Sequence, residues 1–450
     1  MKKYFTNCYI VISLFPILAL GAASPNILTL KDAIDIAMLK NPSVEISSLQ
    51  GLIDRFSLEL AHYAYMPQYN LNANYTMNRS DHDSYTVQPT VTLKSLHGTN
   101  SSLSLSANKS NGDMYNNANL AVSQSLLKGS NYEVNRIELD NAIDQDKVNY
   151  LGRADNVAAV INAVQSAYFK IIQDYQQRDI LNLTLHSSED ILRQYKIKVK
   201  AGLLAESSIS QQNAQVISNK LQIETNSNAI KSDYRDLMLL MGLKGDEKFN
   251  LDLNTAFVAP KLLSLAEAIA TAKENNYAYM QNKIQIHSAR RALLKAQDNN
   301  KWSLDLEGNI TSYGDKSIAL NASIPIADFN LKASLETAKI NLKQQQIALN
   351  NDENTLVAET TNLWNNLLTR QKQIELSKMN AEYAETNYKN AIFSQIHGKS
   401  SAYEVVLQEQ SYLQSRLDVI NYEMSYYVEL ASFNKFLGIV LQNWHVSLRK

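Results

Sequence analysis

The residues of this chain that could do chemistry are few and scattered. The most suggestive stretch is Gly398-Lys399-Ser400, which resembles the end of a phosphate-binding loop. That loop needs a second glycine five residues before Gly398, where this chain has Phe393, and it needs a preceding strand. The seven histidines show no metal-ligand spacing, and no serine-hydrolase or zinc-protease motif is present. We therefore expect no enzyme activity, cofactor or metal site.

The charge and the proline content indicate what kind of elements would position any site. The 450 residues have a formal net charge of −1, so no nucleic-acid partner is predicted. No proline occurs between Pro89 and Pro260, and none follows Pro325. Such long proline-free runs favour long helices.

The first 23 residues have the pattern of a secretory signal peptide. Lys2 and Lys3 precede an apolar core at residues 9–20, and small residues follow up to a predicted cleavage site near Ala23. A membrane anchor is the alternative, but the core is shorter than the roughly 20 residues that a span needs. Cys8, the one cysteine, lies in this segment, so the mature chain is predicted to lack disulfides.

The chain contains a tandem duplication. The stretch LTLKDAIDIAMLKNP, at residues 28–42, recurs as LSLAEAIATAKENNY at residues 263–277, a shift of 235 residues. Gly242 and Gly438 are related by a shift of only 196 residues, so the first copy has an early insertion of about 39 residues. The predicted division is a signal peptide at 1–23, a first repeat at 24–242, a linker at 243–262, a second repeat at 263–438 and a tail at 439–450.

Each repeat contains segments in which apolar and polar residues alternate. The second repeat has two such segments within residues 302–325, and the first has four within residues 68–125. The extra pair, at about 85–108, accounts for most of the insertion. The polar positions are mostly Ser, Asn and Thr, which is typical of the wall of a transmembrane β-barrel with a wet lumen. A soluble β-sandwich is the alternative.

A long helical hairpin follows the strands in each repeat, at residues 130–242 and 326–438. Residues 131–200 contain no proline and one glycine, and Leu335, Leu342, Leu349, Leu356 and Leu363 repeat every seven residues. These patterns predict coiled-coil helices, about 105 Å long if 70 residues are helical.

The returning helices, at about 207–241 and 401–437, are half as long as the rising ones. We expect Ser207 or Ser208, and Ser400 or Ser401, to cap them. Each returning helix would pack along only half of its long helix. The other half would pack against the half-length helix that follows the next opening segment in the chain. The returning helix of the second copy would then abut the first helix of the first copy.

The order of these motifs resembles that of the TolC-type outer-membrane efflux proteins. The resemblance covers essentially the whole mature chain. It rests on Asn41-Pro42, on Met66-Pro67-Gln68-Tyr69, on Gln124-Ser125-Leu126-Leu127-Lys128-Gly129 and Ser323-Ile324-Pro325-Ile326, and on the helix tips Ala201-Gly202-Leu203-Leu204-Ala205 and His397-Gly398-Lys399-Ser400-Ser401.

The resemblance implies an α+β fold, in which an outer-membrane β-barrel is continuous with a long periplasmic α-helical barrel. It implies a homotrimer that serves as a passive exit duct for an efflux pump or a type I secretion system. A periplasmic adaptor and an inner-membrane pump would be its partners. A periplasmic coiled-coil scaffold or adaptor is the alternative function.

The resemblance also implies which residues act. The predicted constriction of the pore is Glu404; the second acidic position of the family is Leu407 here, and Ser400 replaces a frequent arginine. Family trimers have twelve strands, so the extra pair would either widen the barrel or form an outer loop or plug; we favour a loop or a position at the rim. The predicted adaptor-docking residues are Gly202, Leu203, Leu204, Ser207, Ser208, Gly398, Ser400 and Ser401.

Overall fold

The structure is a computed structural model. It describes residues 27–77, 84–110, 113–245, 247, 249–253, 262–326, 328–397 and 399–448. The predicted signal peptide and Gly398 lie outside the described residues.

Both repeats have the same order of elements: a short helix, a half-length helix, strands, a long helix and a returning helix. The first repeat contains β1 (Ile27–Leu28), α1 (Leu30–Lys40), α2 (Pro42–Tyr63), β2 (Gln68–Thr76), β3 (Ser84–Lys94), β4 (Thr99–Ser110), β5 (Asp113–Ser125), α3 (Tyr132–Asn135), α4 (Ile137–Lys200) and α5 (Ser207–Leu240). The linker and the second repeat contain β6 (Asn250–Leu251), α6 (Leu265–Asn275), α7 (Tyr277–Asn299), β7 (Ser303–Thr311), β8 (Lys316–Ser323), α8 (Phe329–Ile396) and α9 (Ala402–Phe436), and α10 (Val440–Asn443) lies in the tail.

The duplicated opening stretch forms the same capped helix twice. Thr29 caps α1 in a capping box with Asp32, and Ser264 caps α6 in a capping box with Glu267. Because both boxes fix where the helix begins, the two copies enter the structure in the same way.

Six strands form one antiparallel sheet in the order β2-β3-β4-β5-β7-β8. The extra strands, β3 and β4, are hydrogen-bonded on both sides within this sheet. The expectation that they form a loop or lie at the rim is therefore wrong. A strand with one apolar and one polar face is best satisfied within a sheet, where its backbone groups find partners on both edges.

The two faces of the sheet have opposite character. Cross-strand pairing aligns one apolar row across five strands, and the next row on the other face is polar and uncharged. The apolar row is Tyr69, Val91, Leu103, Leu120 and Ile310, and the polar row is Asn70, Thr90, Ser104, Asn119 and Thr311.

The helices form a wall of four columns. The 64-residue α4 and the 68-residue α8 are single columns, about 96 and 102 Å long. The other two columns each consist of two helices placed end to end, α5 with α2 and α9 with α7. Packing gives the order α5/α2, α4, α9/α7, α8. No helix in the described ranges is long and apolar enough to span a membrane.

The composite columns form within each copy, which corrects our expectation that the two copies exchange half-helices. Asn41 Nδ2 donates a hydrogen bond to Leu240 O (2.7 Å), and Asn276 Nδ2 donates to Phe436 O (2.8 Å). The same side chains cap α2 and α7 through Oδ1. Each asparagine therefore joins the end of its own copy's returning helix to the start of the same copy's half-length helix, α2 or α7.

The larger core lies beside this junction. Apolar positions of α4 that recur at steps of three and four are buried against α1, the end of α5 and α9. Tyr168 is fully buried, and its hydroxyl donates to Leu28 O (3.0 Å). The buried α4 positions of this pattern are Val157, Ile161, Val164, Tyr168 and Ile171.

Candidate functional site

The first helix tip is a glycine turn between α4 and α5. Gly202 has φ of 72°, and the backbone N–H of Leu203 donates to Lys198 O (2.8 Å), which closes the end of α4. The Leu203 side chain is 75% exposed, whereas Leu204 is half-buried. This tip thus presents a bulky apolar group to its surroundings.

Ser207 and Ser208 do not cap α5. The cap position is Glu206, whose backbone is already helical and whose side chain makes no capping hydrogen bond. Because the helical turn begins one residue early, both serines lie inside the first turn of α5. The expected capping role of these two residues is therefore wrong.

The second tip leads into α9. Ser401 caps this helix, as predicted, because its Oγ accepts a hydrogen bond from the Glu404 N–H (3.2 Å). Ser400 Oγ donates to Glu404 Oε2 (2.7 Å). Glu404 is exposed in the first turn of α9, where the helix dipole favours a carboxylate, and Leu407 lies one turn further on.

The two tips lie at the same end of the wall. Ser187 near the end of α4 donates a hydrogen bond to Glu409 near the start of α9. Farther along, Gln173 Nε2 donates to Asn421 Oδ1 (2.8 Å), and the rings of Phe169 and Tyr427 stack with centroids 5.4 Å apart. The structure therefore brings the predicted tip residues of both copies to one end.

Sequence reasoning missed the apolar side chains that surround the tip turns. Four of them, within two turns of a tip, are more than half exposed. Exposed apolar groups that cluster are typical of binding surfaces. The position of these residues next to the tip turns could have identified them from the sequence. They are Ile197 (64% exposed), Phe393 (63%), Ile396 (75%) and Tyr403 (58%).

A buried acidic pair lies within the first hairpin. Burial and the neighbouring Asp233 raise the pKa of Asp174 to about 6. Among the described residues, no donor faces the buried Oδ2 of Asp174. Asp233 itself accepts from Lys170 Nζ (2.6 Å), and its pKa is lowered by hydrogen bonds from Asp174 and Lys170 despite partial burial. A proton on Asp174 would let it donate to Asp233.

The wall has two open edges, and each edge is continuous from helices to strands. At one edge α2 leads directly into β2, and at the other β8 leads directly into α8. Both helical edges expose apolar side chains. These are Phe56, Ile217 and Leu221 on the α5/α2 edge, and Ile340, Ile347 and Tyr383 on α8.

The described residues contain no group of three or more His, Cys, Asp or Glu side chains that could hold a metal ion. What the structure offers is surfaces: a sheet with one apolar face, two open edges and an apolar tip.

Comparison with known proteins agrees with these features. The family model for "outer membrane efflux protein" matches residues 55–243 and 294–438. No curated protein matches the chain by sequence.

Several solved structures have the same fold. The outer membrane protein VceC of Vibrio cholerae superposes with a TM-score of 0.67 at 13% identity, over 91% of this chain and 96% of that one. The MtrE channel of Neisseria gonorrhoeae gives 0.66 at 16% identity, over 91% and 88%. The CmeC channel of Campylobacter jejuni gives 0.64 at 16%, over 91% and 85%. The chain belongs to the outer membrane efflux protein family, a family of transport channels, and its location is the outer membrane, from which it extends into the periplasm.

Proposed function

We propose that three copies of this chain close into a ring that forms a passive exit duct through the outer membrane. The observation that supports this most strongly is the pair of open edges that runs along both the strand end and the helical end. An open strand edge in hydrocarbon leaves backbone groups without partners, so a spanning sheet must close. The number three rests on the family resemblance.

One contact surface between neighbouring copies closes both the strand part and the helical part of this ring. The strands alternate in direction along the sheet, so β8 of one copy lies antiparallel to β2 of the next. The same contact brings α8 against the α5/α2 column, where it covers apolar side chains of both edges, such as Ile347 and Phe56. Strand pairing and helix packing thus support the same arrangement.

The helix tips are the proposed entrance. A periplasmic adaptor, coupled to an inner-membrane pump of an efflux or type I secretion system, docks on Leu203, Leu204, Ser207 and Ser208 of the first tip and on Gly398, Ser400 and Ser401 of the second. Glu404 lines the constriction. It accepts a hydrogen bond from Ser400, the residue at the position where the family often has an arginine. The inner face of the sheet is polar, with charged side chains at Lys94, Asp305 and Glu307 near the helices, and it suits a passive conduit.

Planar-bilayer recording of the purified oligomer tests this function. We expect discrete channels whose preference for cations falls when Glu404→Lys reverses the charge at the tip. Glu59→Lys, on α2 and far from the tips, is the control and should leave the selectivity unchanged. Absence of channels would refute the duct, whereas channels indifferent to Glu404→Lys would refute only its place in the constriction.

Adaptor docking is tested in cells. Leu203→Glu places a charge on an apolar group that is 75% exposed, so efflux should be lost while the amount of oligomer stays normal. Leu39→Glu changes a leucine on α1 that is even more exposed (84%) and lies away from the tips, and it should be tolerated. Normal efflux in the Leu203→Glu strain would contradict docking at this tip.

A further inference from the structure

We infer that the extra strand pair gives the ring eighteen strands, so that the strand end is as wide as the helical end. The passage then keeps one width from helices to strands, and any limit on cargo size lies at the helix tips. This inference rests on the proposed three-copy ring.

The first support is that the side chains of β3 and β4 continue both the apolar face and the polar face of the sheet. Val91 and Leu103 continue the apolar row from Tyr69 to Leu120, and Thr90 and Ser104 continue the polar row. A hairpin that folded into the lumen as a plug, or over the rim as a loop, would not preserve this register across both of its neighbours.

The second support is that the turn between β3 and β4 is built into the junction with the helices. Asn135 Nδ2 donates to Leu96 O (3.1 Å), and Gln124 Nε2 donates to His97 O (3.0 Å). A Cβ at Gly98 would collide with Gly129 O, so the turn approaches the start of the helical wall at backbone distance. The turn of the extra pair is therefore held in direct contact with the start of the helical part.

The third support is a match of widths. Six strands per copy, about 4.8 Å apart and tilted by about 40°, occupy about 38 Å of circumference. The four helical columns of one copy, packed about 9–10 Å apart, occupy about 36–40 Å. Four strands at the same tilt would occupy only about 25 Å, and the duct would need to taper.

The consequence is a wide outer-membrane passage. Eighteen strands place opposite backbones about 36 Å apart, compared with about 24 Å for twelve strands of the same tilt. The inner face that β3 and β4 add carries mostly uncharged polar side chains such as Thr90 and Ser104, with Lys94 at its helical end. The strand end therefore gives little selection by size.

Site-directed spin labelling in lipid vesicles tests whether the extra pair is wall. Single cysteines are placed in a Cys8→Ser background at Val91 and Leu103 of the extra pair, with Leu120 of β5 as the matched control. Thr90, Ser104 and Asn119 report the opposite face. Val91 and Leu103 should be accessible to oxygen and protected from a nickel chelate, as Leu120 is, and Thr90 and Ser104 should show the reverse, as Asn119 does.

Two outcomes would overturn the inference, and they are distinguishable. If Leu120 contacts lipid but Val91 and Leu103 are accessible to the chelate, the extra pair lies outside the wall and the ring has twelve strands. If Leu120 and Asn119 also lack opposite exposure, the membrane ring itself is wrong and the proposed function falls with it.

Electron cryomicroscopy of the full chain in nanodiscs counts the strands directly. The inference predicts eighteen strands in a trimer, and twelve would contradict it.

Discussion

At the scale of single residues, two asparagines decide how the helical columns are assembled. Asn41 and Asn276 each end one helix, cap the next and donate to the last turn of a third. Asn41 is only 6% exposed, so its amide has no water to replace these partners. One side chain thus satisfies backbone groups at two helix ends, which are otherwise costly to bury.

Loss of the Asn41 side chain should destabilise the protein. Asn41→Ala removes the cap of α2 and leaves Leu240 O without its donor, which together cost about 2–3 kcal/mol. Asn41→Ser keeps a capping oxygen but is too short to reach Leu240 O, so its cost should be smaller. Denaturant unfolding in detergent, followed by circular dichroism, measures both; equal stability of the alanine variant and the parent would contradict the double role.

The acidic pair in the first hairpin should make stability depend on pH. The pKa of Asp174 is raised to about 6, so the folded protein binds a proton between about pH 4 and 6 that the unfolded chain has released. Stability therefore falls as the pH rises through this window. Asp174→Asn should remove this dependence and raise stability at pH 7.5 by at most about 3 kcal/mol.

Thermal unfolding between pH 4 and 8 checks this prediction. Asp179→Asn alters an exposed carboxylate on the same helix, α4, and serves as the control, since it should retain the parent's pH profile. If the difference in stability between the parent and Asp174→Asn did not change between pH 4 and 6, Asp174 would not be protonated in the folded state.

At the scale of elements, local patterns predicted the kind of each element but not always its neighbours. Proline-free heptads predicted the long helices, and alternation predicted four strands in the first copy and two in the second, all of which the structure contains. The place of β3 and β4 was predicted wrongly because it was inferred from the strand number of the family, whereas their pairing with β2, β5 and each other is that of consecutive hairpins. Which half-helices stack also depended on a side-chain contact between Asn41 and Leu240, 199 residues apart, which no local pattern encodes.

The candidate site was predicted in part. Glycine turns located the tips, and one of the two serines predicted to cap α9, Ser401, does so. The apolar groups around the tips were missed because Phe393 and Ile396 have the same sequence pattern as core positions of a helix. Only the three-dimensional end of the wall shows that they face outward.

The helix-end glycines should differ sharply in their tolerance of alanine. Gly202 and Gly242 have φ of 72° and 73°, which costs an L-residue about 1 kcal/mol or more. A Cβ at Gly202 meets no atom within 4 Å, whereas at Gly242 it would collide with the carbonyl group of Lys40. Gly242→Ala should therefore reduce the yield of folded oligomer far more than Gly202→Ala; equal yields would contradict the tight junction.

At the scale of the whole molecule, one chain is a wall with two open edges, and the sheet and the helical columns end at the same two edges. In the proposed ring, a single contact between copies closes both. That contact would cover the apolar edges of α2 and α8, which are exposed in one copy, whereas the apolar face of the sheet would face lipid. On this proposal the duplication produces a segment of a ring rather than two separable domains.

Disulfide trapping across the contact surface between copies tests this account most directly. In the Cys8→Ser background, Ile318→Cys on β8 is combined in turn with cysteine at Tyr69, Leu71 and Ala73 on β2. At least one pair should crosslink in outer membranes, because residues that face each other on adjacent antiparallel strands have Cα atoms about 4.5–5.5 Å apart. Ile318→Cys combined with Val91→Cys, on the doubly paired β3, is the control and should not crosslink. We predict a ladder of crosslinked species that stops at three copies; no intermolecular crosslink from any pair, or a ladder that stops at two, would contradict the ring.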